Sequence, residues 1–301
     1  MIETWHKIYF KDARDMKDIP SNSVHLMITS PPYPMIEIWD EQFKQLDPRI
    51  NELWNKMEEE KDKFKKEELI NQIFELMHEN LAKVWKEVYR VLVDGGIACI
   101  NIGDATRTIN DVFRLFPNHA KIIEHCEKIG FITLPYILWK KPTTKPKYKG
   151  KGAFLGSGML PPNAYVSIDA EFILIFRKGE PRRFAPKDPL RYASKYTKEE
   201  RNQWFTQIWE IPGEKQELSS VERRAASFPE EIPRRLIRMF SIIGDTVLDP
   251  FLGTGTTTKV AIELNRNSIG YEIDKRFRKI IEEKIGYNQK RLISSKIEFI
   301  D

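Results

Sequence analysis

The chain has few cysteines and no long apolar run, and each absence excludes a class of protein. Cys99 and Cys126 are the two cysteines among 301 residues, and neither belongs to a Cys-x-x-Cys pair or a His/Cys cluster. Neither a disulfide framework nor a metal site is therefore expected. Because no apolar run approaches the length of a membrane span, no membrane partner is expected. Charges throughout residues 1–20 predict no secretory signal and a reduced, cytoplasmic location.

The charge balance is weakly positive. The 49 lysines and arginines exceed the 44 acidic residues and give a formal net charge of +5. An excess of this size suits a polyanionic partner, and it is equally compatible with an ordinary solvated surface. With 41% hydrophobic residues and no internal repeat, the chain is long enough for one large domain, with or without a smaller lobe.

Strand and helix patterns alternate along the chain. Short β-rich apolar runs predict buried strands at 24–29, 97–102, 131–139, 171–177, 246–249 and 268–273. Helical spacing of apolar residues predicts helices within 36–93, which Asp94-Gly95-Gly96 ends, and at 112–129 and 233–240. Within the first of these stretches, Asp47 before Pro48 has the pattern of an N-cap. The alternation favours an open, mostly parallel α/β sheet.

Residues 246–273 have the pattern of a strand, a tight turn, a helix and a second strand. Gly253 and Gly255 permit close backbone approach to a ligand, and the amides at the helix start favour an acceptor group. Glu272 ends the second strand, where a carboxylate can accept hydrogen bonds from both ribose hydroxyls. Thr258 stands where a dinucleotide-binding loop usually has a third glycine, so the loop favours S-adenosylmethionine over a dinucleotide.

A rigid turn follows the strand expected at 24–29, and it carries the most specific resemblance. Residues 29–33, Thr-Ser-Pro-Pro-Tyr, resemble the (Asp/Asn/Ser)-Pro-Pro-(Tyr/Phe/Trp) motif of DNA amino-methyltransferases, which methylate N6 of adenine or N4 of cytosine. The turn precedes the glycine loop, which is the order of the β class of that family. The resemblance implies a Rossmann-like S-adenosylmethionine-dependent fold with a mostly parallel sheet, a helical insertion at about 34–80 and a small target-recognition region.

The resemblance extends to segments around the cofactor. Residues 10–13 resemble the family's adenine-contacting segment, and 225–237 resemble the helix that walls the methionine end of its pocket. Residues 91–96 and 137–140 also resemble recurring family segments. The cofactor contacts implied in this chain come from Asp12, Ala13, Phe228, Asp249, Phe251, Gly253, Gly255, Thr256, Thr257 and Glu272. The implied organisation is a catalytic half at 1–140, a recognition region at 141–205, either continuous or split around the strand at 171–177, and a cofactor-binding half at 206–301.

The resemblance gives the turn a chemical role. The exocyclic amine of a nucleobase is a poor nucleophile because its lone pair is delocalised into the ring. Ser30 Oγ and the carbonyl of Pro31 are the candidate acceptors for the amine protons, and Pro32 helps to hold that carbonyl fixed. Tyr33 is expected to stack on the base, which must be flipped out of the duplex to reach the turn. Neither a metal nor a covalent intermediate is required.

A basic and aromatic stretch between the two motifs is the expected site of DNA binding. In the β class this interval holds the target-recognition region, and its cations would neutralise phosphates of double-stranded DNA. The candidates are Lys141, Lys145, Lys147, Lys149, Lys151, Arg182, Arg183 and Arg191. A solvated surface is the alternative for any one of them.

Several interpretations of the function remain open at this stage. Serine at the first position of the motif favours cytosine-N4 methylation, and N6-adenine methylation is the alternative. RNA or protein-glutamine methylation and a non-catalytic DNA-binding module are less favoured. Cytosine-C5 methylation needs a thiolate, and neither cysteine follows a proline in an active-site loop. The leading interpretation is a component of a restriction-modification system, a monomer or homodimer paired with a cognate endonuclease.

Overall fold

The computed structural model describes residues 3–109, 112–141, 166, 168–213, 228–287 and 295–301. Within these ranges the main sheet has nine strands in the order β11-β1-β10-β9-β2-β3-β7-β6-β8, and β4 pairs with β5 in a separate hairpin. The strands are β1 (Thr4–Tyr9), β2 (Val24–Thr29), β3 (Leu92–Ile102), β4 (Ala105–Ile109), β5 (Val112–Phe116), β6 (Ile132–Lys140), β7 (Ala170–Arg177), β8 (Ile208–Glu210), β9 (Thr246–Asp249), β10 (Asn267–Tyr271) and β11 (Ser295–Ile300).

One strand of the described sheet runs against its neighbours. β7 is antiparallel to both β3 and β6, whereas the other pairs of the main sheet are parallel. The mostly parallel α/β sheet predicted from the sequence is therefore confirmed, and the predicted strand at 171–177 does belong to it. Because β7 reverses the chain, the segment that follows it starts from the opposite edge of the sheet.

Helices cover both faces of the sheet. The described α-helices are α1 (Asp40–Leu46), α2 (Pro48–Glu59), α3 (Lys63–Val91), α4 (Asn118–Ile129), α5 (Pro189–Ala193), α6 (Lys198–Trp204), α7 (Glu231–Phe240), α8 (Thr256–Glu263) and α9 (Arg278–Ile285), and short 3-10 turns lie at Glu37–Trp39 and Lys275–Phe277. Alternate residues of β2 serve the two faces: Met27 joins the core under α1–α4, and Leu26 and Ile28 join the core under α7 and α8. No helix in the described ranges is long and apolar enough to cross a membrane.

The helical insertion is attached to the domain by buried polar contacts. Asp47 caps α2 by accepting from the backbone nitrogen of Arg49, with Pro48 at the first helical position, as the sequence predicts. Asn80 of α3 donates to Asp47 at 2.8 Å, and Arg107 of the β4–β5 hairpin donates to Asp40 of α1 at 2.5 and 2.6 Å. α3 continues beyond the expected end of the insertion at about residue 80 and packs on the central sheet.

Two local predictions were wrong. Residues 112–116, expected to begin a helix, form β5, because this β-prone run pairs with β4 in the hairpin, and α4 begins only at Asn118. Asp94-Gly95-Gly96 does not follow the end of a helix directly, since α3 ends at Val91 and the three residues lie within β3. Gly95 has φ +76°, and the register between β2 and β3 shifts there, which is typical of a bulge.

Candidate active site

The Ser-Pro-Pro-Tyr turn lies at the carboxyl edge of the sheet. β2 ends at Thr29, and β9, which lies next to it, ends at Asp249 at the same edge. Pro31 and Pro32 are buried, whereas Ser30 and Tyr33 are partly exposed. The turn is therefore rigid and still open to a ligand, beside the loop that the sequence assigns to the cofactor.

A buried carboxylate joins the turn to that loop. Asp249 Oδ1 accepts from Thr29 Oγ1 at 2.7 Å and from the Phe251 backbone nitrogen at 3.1 Å, and its Oδ2 accepts from Thr257 Oγ1 at 2.6 Å. Burial raises the pKa of Asp249 to about 6, although these donors oppose the shift. Two motifs that are 220 residues apart in sequence are thus held together by one side chain.

The cofactor loop has the strand–turn–helix–strand form that the sequence predicts. β9 leads through Gly253 (φ +54°) and Gly255 (φ +89°) into α8, and β10 returns parallel to β9. Both glycines have left-handed backbone conformations that side chains other than glycine rarely adopt. Thr256 and Thr257 are buried in the first turn of α8. The backbone amides at the start of α8 can therefore receive an anion or another acceptor group.

Glu272 is the carboxylate that follows β10, as expected. Its Oε2 accepts from the Gly253 backbone nitrogen and its Oε1 from that of Asp274, each at 2.9 Å. Burial raises the pKa of Glu272 to about 7, more than the two backbone donors lower it. A carboxylate offers about four acceptor positions, so two described bonds leave capacity for further donors. A pair of ribose hydroxyls is such a donor set, and Glu272 therefore fits an adenosyl cofactor.

The other expected cofactor residues occupy two places around the loop. Asp12 and Ala13 follow β1, whose Tyr9 pairs with Tyr271 of β10, so they lie at the same sheet edge as Glu272. The backbone nitrogen and Nε of Arg14 hold Asp12, each at 2.8 Å. Phe228 is buried just before α7, in the hydrophobic core shared by β2 and α8.

Sequence reasoning missed two polar residues that contact Tyr33. The Tyr33 hydroxyl donates to Glu171 Oε2 at 2.9 Å, and Asn101 Nδ2 donates to the Tyr33 oxygen at 2.8 Å and to Glu171 Oε2 at 2.7 Å. Ser30 Oγ lies 3.0 Å from the same Tyr33 oxygen. Burial raises the pKa of Tyr33 well above its usual value, and the nearby charge of Glu171 is the second cause of the increase. Tyr33 is therefore a neutral phenol at the centre of a polar network.

A strand-periodicity argument could have found both residues. Ile28, Cys99 and Ile173 belong to one core on one face of the sheet. Because side chains alternate between faces, residues two positions further toward the active edge share that face. Those residues are Ser30, Asn101 and Glu171. The periodicity predicts that these three residues share one face of the sheet. It does not predict that β2, β3 and β7 are neighbours in the sheet.

The expected DNA-binding residues separate into two groups at opposite edges. Lys141 follows β6 at the active edge and forms an ion pair with Glu171. Arg182 forms a two-pronged ion pair with Asp245, which precedes β9 at the amino edge. Arg183 and Arg191 are exposed beside it. The amino and carboxyl edges are roughly 20 Å apart, at about 3.3 Å per strand residue. Lys145, Lys147, Lys149 and Lys151 lie outside the described residues.

The placement of these arginines changes what is expected of them. Arg182 has both guanidinium ends on Asp245, which is a structural contact within the domain. Arg191 and Arg182 also stack on Phe184. These contacts favour a structural role at the amino edge over a contact with DNA beside the Ser-Pro-Pro-Tyr turn, and a role in DNA binding stays a prediction.

Neither cysteine is placed to act as a nucleophile. Cys99 is buried in β3 and Cys126 is buried in α4, as the sequence predicts. Burial raises the pKa of each thiol. Neither forms the thiolate that methylation at carbon 5 of cytosine would need.

Comparison with known proteins gives consistent matches over the whole chain. Residues 24–283 match the family described as DNA methylase, the N6/N4 methyltransferases. The type II methyltransferase M.MjaI of Methanocaldococcus jannaschii is 71% identical over 301 residues, covering 100% of this chain and 98% of that protein. The type II methyltransferase M.MthZI of Methanothermobacter thermautotrophicus is 47% identical over 311 residues, covering 99% and 83%.

Solved structures of DNA methylases are also similar to this chain. TTHA0409 of Thermus thermophilus, solved in complex with S-adenosyl-L-methionine, matches with a TM-score of 0.71 and 31% identity over 98% of this chain and 100% of that one. The PvuII DNA methyltransferase, which is cytosine-N4-specific, matches with a TM-score of 0.61 and 17% identity over 99% of this chain and 98% of that one. The second match is a likeness of fold.

Proposed function

The chain belongs to the DNA methylase family and is an S-adenosylmethionine-dependent DNA methyltransferase, and from this we propose that it methylates the exocyclic N4 amine of cytosine in duplex DNA. One observation carries the proposal. The Thr29–Asp249 hydrogen bond of 2.7 Å holds the Ser-Pro-Pro-Tyr turn against the cofactor loop. An amine bound by the turn is therefore beside the methyl donor.

The turn supplies positioning and electrostatic stabilisation. Ser30 Oγ and the Pro31 carbonyl accept hydrogen bonds from the two amine protons and draw the nitrogen toward a tetrahedral shape, which frees its lone pair. The base reaches the turn by flipping out of the duplex, and the ring of Tyr33 packs against it. Rate then comes mainly from placing the amine in line with the methyl group, since no covalent enzyme intermediate forms.

The cofactor is held by the loop between β9 and β10. Glu272 accepts from the ribose hydroxyls, and Gly253 and Gly255 let the backbone approach the cofactor closely. Asp12 and Ala13 contact the adenine side, and Phe228 walls the methionine side. S-adenosylmethionine supplies an electrophilic methyl group, and these residues orient it toward Ser30.

Cytosine is proposed as the target because of the residue at the first motif position. Ser30 stands where the resemblance favours N4-cytosine enzymes over N6-adenine enzymes. The two amines have similar geometry, so the turn would accept either, and the identity of the methylated base is the outcome that decides.

A restriction endonuclease of the same site is the proposed functional partner. M.MjaI and M.MthZI are both named type II methyltransferases. A methyltransferase of that type protects its own site from cleavage, and we propose the same role for this chain. Lys145, Lys147, Lys149 and Lys151 are proposed to contact phosphates of the duplex.

The first experiment is a methyl-transfer reaction on mixed-sequence duplex DNA with S-adenosylmethionine, followed by mass spectrometry of the nucleosides. We expect N4-methylcytosine. N6-methyladenine would overturn the choice of base and leave the mechanism, whereas the absence of any methylated nucleoside would overturn the proposed reaction.

The role of Ser30 is tested in the same assay. Ser30→Ala should lower the rate about 100-fold or more, because it removes an acceptor aimed at the reacting amine. Its Kd for S-adenosylmethionine, measured by calorimetry, should stay within about twofold. Ser23→Ala is the matched control, since Ser23 caps the other end of β2 with a bond to the Pro20 carbonyl. Full activity in Ser30→Ala would contradict the assignment.

A further inference from the structure

The Tyr33 hydroxyl oxygen is contacted by three polar groups, and its single proton fixes the direction of each bond. Glu171 is paired with Lys141 as a carboxylate and can only accept, so Tyr33 donates its proton to Glu171 Oε2 at 2.9 Å. The raised pKa of Tyr33 keeps that proton on the phenol. The hydroxyl therefore has no proton left for Ser30 or Asn101.

Asn101 and Ser30 must both donate to Tyr33. The amide orientation of Asn101 is fixed because Nδ2 lies 2.7 Å from Glu171 Oε2, where an amide oxygen would meet a carboxylate oxygen. Nδ2 then also donates to the Tyr33 oxygen at 2.8 Å. Ser30 Oγ at 3.0 Å fills the second lone pair of that oxygen, and it can do so only by donating its own proton.

These bond directions determine how Ser30 can interact with a bound base. Once its proton is directed at Tyr33, Ser30 Oγ presents only lone pairs to a bound base. Such an oxygen attracts an amino group and repels a keto oxygen. A site built with a fixed acceptor discriminates strongly against a ligand that brings another acceptor, because one buried polar group is then left unpaired.

We propose that Glu171 is a positioning residue that, through Tyr33, holds Ser30 as an acceptor for the target amine and receives the proton released after methyl transfer. This inference rests on the proposed function. It extends the site from the four-residue turn to a chain of hydrogen bonds that ends on β7.

The proton balance follows the same chain. The lone pair of the amine nitrogen forms the new N–C bond while the C–S bond breaks and its electron pair stays on sulfur. The methylated nitrogen is then cationic and must lose one proton. That proton passes to Ser30 Oγ, the Ser30 proton passes to Tyr33, and the Tyr33 proton passes to Glu171 Oε2. The product amine is neutral, and Glu171 is a carboxylic acid until it releases the proton to solvent.

Two substitutions interrupt the chain at different points. Glu171→Gln removes the terminal carboxylate, and Tyr33→Phe removes the hydroxyl and keeps the ring. Each should lower the single-turnover rate of methyl transfer about 100-fold, the usual scale of proton-transfer assistance. The double variant should be no slower than the slower single variant, because both act on one chain. Glu210→Gln is the matched control, since it removes an exposed carboxylate at the end of β8.

The behaviour of the double variant and the cofactor affinity separate this role from a loss of structure. The Kd for S-adenosylmethionine should stay within about twofold in each variant. An unchanged rate in Glu171→Gln, with an active wild type, would overturn the inference alone. A wild type that methylates no DNA would overturn the proposed function as well.

A binding measurement tests the direction of the bonds without turnover. The duplex carries the site that the wild type methylates, with either cytosine or uracil at the target position. The Kd for the uracil duplex divided by the Kd for the cytosine duplex should be at least about tenfold lower in Tyr33→Phe than in the wild type. The reason is that Ser30 is then free to turn and donate to the keto oxygen of uracil. The mismatch affects both proteins equally and cancels in the comparison. An unchanged ratio would contradict the fixed direction.

Discussion

At the scale of single residues, the two acids at the carboxyl edge have different roles. Asp249 has three described donors and joins the Ser-Pro-Pro-Tyr turn to the loop between β9 and β10, so it is a structural link. Glu272 has two described backbone donors and a pKa raised to about 7, so it is a partly buried acceptor with capacity for further donors. The difference in partners, rather than the shared carboxylate chemistry, distinguishes the structural link from the carboxylate expected to bind the ribose.

Cofactor binding should depend on the ionisation of Glu272. Only the carboxylate form accepts from both ribose hydroxyls, and burial places its pKa at about 7 in the free protein. Lowering the pH through 7 protonates Glu272 and should weaken binding, by at most about tenfold per pH unit for one proton. Calorimetry with S-adenosylmethionine between about pH 8 and pH 6 measures this change.

Glu272→Gln provides the control for that titration. It should bind the cofactor more weakly at pH 8 and retain only the pH dependence that comes from the ligand and from Asp249. Parallel curves for the two proteins would show that Glu272 does not titrate with binding.

At the scale of elements, the cap of α2 is a connection between the insertion and the rest of the domain. Asp47 accepts from the backbone nitrogen of Arg49 at 3.1 Å and from Asn80 of α3 at 2.8 Å. Arg14, which also holds Asp12, donates to Asn80 at 2.9 Å. The start of α2 is thus joined through α3 to the segment expected to contact the adenine of the cofactor.

Asp47→Ala should destabilise the protein by about 1–2 kcal/mol, because it removes a helix cap and a buried acceptor. Thermal or urea unfolding measures the change. The hydrogen bonds from Arg49 lower the pKa of Asp47, so its contribution is present above the unfolded pKa of about 3.9 and is lost as the pH falls below it. Asp62→Ala, at the exposed cap of α3, should cost less; an equal cost would contradict the contribution of the buried contacts.

At the scale of the whole molecule, the direction of β7 separates the described basic residues Lys141 and Arg182. The strand starts beside Lys141 and ends at the opposite edge, and the segment after it packs near Gly95 and Asp245. Arg182 and Arg191 line an open cleft of about 1110 Å³ there. The described residues Lys141 and Arg182, which belong to one basic stretch in the sequence, therefore lie at opposite edges of the sheet.

The salt dependence of DNA binding should distinguish the lysines proposed to contact phosphates from the arginines at the amino edge. The Lys145→Ala/Lys147→Ala variant should weaken binding and reduce the slope of log K against log salt by up to about two, since each phosphate contact contributes about 0.9. The Arg183→Ala/Arg191→Ala variant should leave the slope unchanged. Fluorescence anisotropy at several salt concentrations measures both. A lower slope in the arginine variant would instead place DNA at the amino edge.

The sequence by itself determined the features whose parts are adjacent in the chain. The loop between β9 and β10, the Ser-Pro-Pro-Tyr turn and the Asp47 cap were each predicted and found, because glycine, proline and capping residues act on their immediate backbone. The start of α4 was predicted wrongly because it depends on a pairing between strands and not on the local backbone. Residues 112–116 form a strand only because β4 is there to pair with them.

Only the tertiary structure decided which distant residues meet. Glu171 reaches Tyr33 across 138 residues and Asn101 reaches it across 68, because β2, β3 and β7 are neighbours in the sheet. Strand order and direction follow from how the whole chain packs, and no local pattern encodes them. The Ser-Pro-Pro-Tyr turn could therefore be predicted from the sequence, whereas its polar support and the edge on which each described basic residue lies depend on the assembled sheet.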